Sequence, residues 1–133
     1  MSSINDHDIN VALDAMVAAA NVMSVGLSTT EPIRNTGVSA GFSNISEPPT
    51  AAGYAQVTLL ASEWSAASNR IKATSVDIDF PAPTGDWGEV GWVVVWAGSR
   101  VMFTGDLGEL IDITDGGDSL TIPAGTLSLY FPA

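Results

Sequence analysis

The sequence predicts a mainly β fold, an antiparallel sandwich or jelly-roll-like domain preceded by a short N-terminal helix. Three observations carry this. Short apolar or alternating runs recur from Val22 to Phe131 at the roughly 8–12-residue spacing of β-sandwiches. Clusters of Pro, Gly, Asn and Asp separate those runs. Only one segment, Asp6–Ala20, has helical spacing, so the βαβ alternation of a parallel sheet is missing. Residues 1–21 are therefore expected to form a helical arm, and residues 22–133 a single β-sandwich unit.

In the helix, Ile9, Leu13, Met16, Val17 and Ala20 recur at spacings of three and four and share one face. Asp6 or Asp8 is placed to cap its start, where acidic side chains suit the helix dipole. A short Ala-rich helix is marginal alone, so its stripe must pack on the chain's own sheet or on a neighbouring chain. Val22–Ser28 reads as the first strand. Glu31–Thr50, rich in Pro, Gly, Asn, Ser and Thr, reads as a long ordered or semi-ordered loop, and such loops are often functional.

Gly53–Leu60 alternates as a strand. Arg70–Phe80 alternates too, with a phase shift between Ala73 and Val76 that predicts a bulge or bend. Gly91–Ala97, nearly all apolar and β-branched, reads as a strand covered on both faces. Gly98-Ser99 predicts a type II′ hairpin returning through Val101–Thr104. Leu110–Thr114, Ser119–Ile122 and Leu127–Phe131 complete about eight strands.

Composition excludes several function classes. There is no cysteine, which removes disulfides, thiolate catalysis and Cys-ligated zinc together. Four Lys+Arg stand against 15 Asp+Glu, a formal net charge of −11. Arg34, Arg70, Lys72 and Arg100 are too few and too scattered to displace counterions from phosphate, so neither nucleic acid nor an anionic membrane is an expected partner. The longest apolar run, Val90–Ala97, falls far short of the roughly 20 residues that span a bilayer. Met1–Asn10 has no basic stretch before an apolar run, so no cleaved secretory signal is expected. With 46% hydrophobic and only 14% charged residues, some apolar area is expected at subunit interfaces.

Residues able to carry chemistry are sparse. His7 is the only histidine, and no Gly-x-Ser-x-Gly elbow accompanies it, so it reads as a solvated helix residue. Asp77 and Asp79 lie two apart on one strand face, a spacing that a glycosidase pair could use, but an acidic solvent-facing strip explains them better. Asp112, Asp115 and Asp118 could offer oxygen ligands to Ca²⁺, but they lack the EF-hand spacing and read as turn residues. Trp92 and Trp96 share a face of one apolar strand and read as core; Trp64 and Trp87, at strand margins, are the candidates for exposed contact, such as a sugar platform. No catalytic, cofactor-binding or metal-binding residue is assigned, and no enzymatic activity or cofactor is expected.

Several blocks carry a resemblance. They are Val25-Gly26-Leu27-Ser28-Thr29-Thr30-Glu31-Pro32, Glu47-Pro48, Gly53-Tyr54-Ala55-Gln56-Val57 and Trp64-Ser65-Ala66-Ala67-Ser68-Asn69. Ile78 to Val90, containing Phe80-Pro81-Ala82-Pro83-Thr84-Gly85-Asp86-Trp87-Gly88, and Ile122 to Leu129 complete the set. From about residue 10 onward the chain resembles a family of small tailed-phage virion structural proteins, often labelled phage tail fibre protein, and is similar to capsid cement or decoration proteins. The resemblance implies a virion component without catalytic residues. The first expectation is a cement protein on the capsid surface, made in the host cytoplasm, a homotrimer that also contacts the major capsid protein through the N-terminal segment and the Glu31–Thr50 loop. The alternative is a tail fibre or baseplate module that binds a host surface glycan.

Overall fold

The computed structural model describes residues 5–36 and 41–130. Residues 1–4 of the expected arm, 37–40 of the expected loop and Phe131 of the last expected strand lie outside the described residues. The fold is mainly β, with 42% strand against 17% helix, and every ladder is antiparallel.

Helix α1 spans Asp6–Ala20. Its cap is Asn5, not Asp6 or Asp8: the Asn5 side chain accepts from the Asp8 N–H at 2.9 Å and donates to the Asp8 carboxylate at 3.0 Å. An amide can both accept from the free N–H and donate to the acid, whereas a carboxylate only accepts. Ile9, Leu13 and Val17 are buried in the chain's own core, with Met16 and Ala20 half-buried beside them. The helix therefore packs intramolecularly, as its stripe requires.

One four-stranded sheet forms the centre, in the order β4 (Val57–Leu60), β1 (Val22–Ser28), β7 (Gly88–Ala97), β8 (Arg100–Ile113). Its register separates two faces. Met23 opposes Leu59, Val25 opposes Val95 and Leu27 opposes Val93, and all six belong to the core. Ser24 opposes Trp96, Gly26 opposes Val94 and Ser28 opposes Trp92 on the other face. The Gly98-Ser99 hairpin forms as expected, with Gly98 at φ +65°.

Three short ladders complete the fold: β2 (Ile33–Arg34) with β3 (Phe42–Ser43), β5 (Ile71–Ala73) with β10 (Ser128–Tyr130), and β6 (Ile78–Asp79) with β9 (Thr121–Ile122). Ten strands thus replace the expected eight, and no second four-stranded sheet occurs among the described residues.

Three strand expectations are corrected. Gly53–Leu60 is strand only from Val57, because Gly53, at φ +85°, closes a 3-10 turn over Thr50–Ala52. Val101–Thr104 and Leu110–Thr114 are one continuous strand, β8. That strand absorbs irregularities at Met102 and between Asp106 and Ile111, helped by Gly108 at φ +87°. Arg70–Phe80 is not one bulged strand but two strands with different partners, β5 and β6. In β5 the expected apolar face is inverted: Ile71 is 46% exposed and Lys72 only 6%.

The inversion has an electrostatic cause. The Lys72 ammonium donates to Asp14 at 2.7 Å and to the Ser65 carbonyl at 2.8 Å. Asp14 also accepts from the Ala67 N–H at 2.9 Å, and Asn10, one helical turn earlier, accepts from the Arg70 N–H at 2.9 Å. One helix face thereby fastens the 67–72 turn, in which Asn69 and Arg70 both have positive φ. The Lys72 hydrogen bond, with a further one from Ala67, holds the Asp14 carboxyl below its ordinary value. A lowered folded pKa stabilises the fold above the unfolded value near 4 and loses that contribution as pH falls through the folded value. The Asp14 side chain is 46% exposed, so solvent screens the pair, and replacing Asp14 by Asn is expected to cost about 1 kcal/mol at pH 7. The gap in melting temperature between the two proteins should shrink as pH falls below about 4.

Candidate interaction surface

The four tryptophans sit differently from expectation. Trp64 and Trp87, expected to be exposed, are 5% and 2% exposed. The Trp87 indole N–H donates to the Ala52 carbonyl at 2.8 Å, and its ring meets Tyr54 edge-on at 5.4 Å. Trp64 bridges to Thr74, beside the helix-capped turn. Both lie among Gly, Pro and Ser in sequence, yet folding brings long-range partners over them. Trp92 and Trp96, expected in the core, are half-buried on the outer sheet face, flanking the fully buried Val94. They belong to the one strand whose alternation is hidden by its apolar composition, so sequence offered no signal to assign its faces.

The carboxylates serve as fasteners. Asp79 accepts from the Thr121 hydroxyl at 2.7 Å and Asp77 from the Ala124 N–H at 2.8 Å, each tying β6 to the β9 region. Asp86 accepts from the Asp115 N–H at 2.9 Å. Asp112, Asp115 and Asp118 are exposed, and among the described residues no group of three His, Asp or Glu is gathered to hold a metal ion. His7 is exposed in the first turn of α1.

The Glu31–Thr50 loop is anchored along its described part. The Thr29 N–H donates to the Ser46 carbonyl at 2.8 Å, and the Asn44 amide to the Glu31 carbonyl at 2.9 Å. The Tyr54 hydroxyl donates to Glu47 at 2.6 Å and accepts from the Leu27 N–H at 3.0 Å, while Gln56 donates to the same Glu47 oxygen at 2.9 Å. Burial, and then the Glu47 carboxylate, push the Tyr54 phenol well above its ordinary value. The hydroxyl meets β1 where β4 has ended, so it satisfies a strand N–H that would otherwise be orphaned. Gly26 makes room for it: a Cβ there would stand 2.5 Å from the Tyr54 oxygen.

On the inner side, three adjoining grooves run along β8, with volumes of about 500, 520 and 370 Å³. The first lies between the end of α1 and the hairpin at Arg100. The second and third lie between Met102–Leu107 and the 127–128 segment, with Arg34 and Phe42 also lining the second. β8 is the edge of the sheet, hydrogen-bonded on one side only. Val101, Met102, Phe103, Thr104 and Gly105 along it are half-buried, and Leu110 is 57% exposed. Sequence reasoning read this stretch as half of a hairpin and did not see that it has no second neighbour.

Residues 5–130 match the family model described as podophage GP4 fiber I protein gp80. The chain belongs to this podophage fiber family. That places it among the structural proteins of the bacteriophage virion, in agreement with the resemblance drawn from its sequence blocks. The match includes α1 and all ten strands, so the helix and the sheet are parts of one family unit. No curated protein matches the sequence.

Proposed function

We propose that this fiber-family protein is a non-enzymatic capsid cement subunit, bound to the head exterior and stabilising it through protein contacts. Its partners are further copies of itself and the major capsid protein. The observation that carries this reading over glycan binding is the burial of Trp64 and Trp87, the two rings nominated as a sugar platform. What the surface offers instead is an open strand edge, apolar grooves beside it and an anchored polar loop. These are features for burying area against protein, and added interface area stabilises a shell without chemistry.

Purified protein mixed with the phage's empty heads is expected to co-sediment with them, saturate, and raise the temperature at which they break. Protein that leaves heads unbound but is found on the tail by labelled-antibody electron microscopy would overturn the head assignment. One observation favours a second reading, a fibre or baseplate module that binds host glycan. Trp92 and Trp96 are half-buried on the outer sheet face, Trp92 opposite Ser28 and Asp106 and Trp96 opposite Ser24 and Val101. In that case glycan-array binding would be lost on Trp92→Ala or Trp96→Ala.

A further inference from the structure

The edge of β8 is open over a long uncharged stretch. Arg100-Val101-Met102-Phe103-Thr104-Gly105-Asp106 carries a cation at one end, a carboxylate at the other and five uncharged residues between. Arg100 makes no ion pair among the described residues. Edge strands are normally blunted by charge, proline or short length. The second half of β8 is blunted in this way, by Asp106, Glu109, Asp112 and the excursion that lays Leu110 over Gly91. The opposite sheet edge, β4, is only four residues long. The stretch from Val101 to Gly105 has none of these protections except one bulge at Met102.

We propose that this edge pairs with the same edge of a second copy, antiparallel about a two-fold axis at Phe103. In that register the facing positions sum to 206. Arg100 faces Asp106 twice, Val101 faces Gly105, Met102 faces Thr104, and Phe103 faces its own copy. A parallel arrangement would set Arg100 beside Arg100 and Asp106 beside Asp106, so charge selects the antiparallel one. The chain carries a net charge of −11, so two copies repel at long range. The contact sits at Arg100, one of the chain's four Lys and Arg residues, which makes no ion pair among the described residues and can answer a carboxylate. Paired edges also satisfy the free backbone groups of both strands and join two four-stranded sheets into one of eight. The adjoining groove of about 520 Å³ leaves room for side chains from the inner face of the partner's strand. An isologous contact of this kind gives dimers or even-numbered assemblies. The proposal rests on the reading of the chain as a self-associating subunit and puts an even-numbered assembly in place of the expected homotrimer.

The test uses the full-length protein. Light scattering is expected to give a dimer or an even multiple of the chain mass. Arg100→Asp sets two carboxylates face to face and should weaken association about tenfold or more. Combining Arg100→Asp with Asp106→Arg restores the opposite charges and should restore association. Because the chain has no cysteine, Phe103→Cys gives a clean second readout. It should form a disulfide-linked dimer under mild oxidation, while Thr58→Cys on the β4 edge should not. A monomer at every concentration, a trimer unchanged by Arg100→Asp, or equal cross-linking at both cysteines would overturn the contact. A dimer that passes these tests but ignores heads would keep the contact and remove the cement reading.

Discussion

A chain that begins at Asn21 is expected to be unfolded. Removing residues 1–20 deletes Ile9, Leu13 and Val17, which are 3%, 0% and 1% exposed. Burying each such side chain contributes about 1.5–3 kcal/mol, so the three together approach the roughly 5–15 kcal/mol that holds a whole domain. The deletion also takes Asp14 from the Lys72 ammonium, whose side chain is 7% exposed, and Asn10 from the Arg70 N–H. A buried cation losing its carboxylate adds a further penalty. Circular dichroism should show no cooperative melt. A truncated chain that melts within a few degrees of the parent would show that the helix contributes little to the core.

This result bears on how a contact in the N-terminal segment is tested. If truncation unfolds the chain, loss of particle binding says nothing about where the particle touches it. Val11 offers a cleaner probe, because it is 53% exposed on the helix face turned away from the core. Val11→Asp leaves Ile9, Leu13 and Val17 in place. If the helix contacts capsid or a sister subunit, that variant should fold normally and bind weakly.

The helix was legible because its apolar stripe is periodic over 15 residues and alone dictates which face must be covered. β1 and the Gly98-Ser99 hairpin were legible because each is set by local alternation or by one glycine with positive φ. The cap at Asn5 and the 3-10 turn closed by Gly53 are local misses, but the larger errors depend on distant partners. Nothing around Lys72 announces that Asp14, 58 residues earlier, will hold its ammonium and turn Ile71 outward. Trp92 and Trp96 lie in a run so uniformly apolar that either face could have been the inner one; the opposing Ser24, Gly26 and Ser28 of β1 decide it. The edge status of β8 depends on sheet order, which local pattern does not encode. Family membership reached further than any single element, because the blocks that carry it, such as Phe80 to Gly88, are the places where strands end and loops are fastened.

Trp87→Ala should be the most damaging single substitution in that block. The ring is 2% exposed, packs edge-on against Tyr54 at 5.4 Å, and Tyr54 in turn stacks with Phe80 at 6.5 Å. Truncation would open a cavity in this aromatic cluster and leave the Ala52 carbonyl without the indole N–H that reaches it at 2.8 Å. Cavities of this kind cost about 3–5 kcal/mol. Trp87→Phe keeps most of the ring and loses the hydrogen bond, which should cost about 1–3 kcal/mol. Urea unfolding separates the two, with midpoints falling in the order parent, Phe, Ala at an unchanged slope. Equal losses in both variants would assign the effect to the hydrogen bond and not to packing. A loss below about 1 kcal/mol for the alanine variant would put the ring at the surface, where the sequence had suggested it lies. The same series tests function. If Trp87 is core, head binding or glycan binding should fall only as far as the folded fraction falls, whereas a surface contact residue would lose binding in protein that remains fully folded.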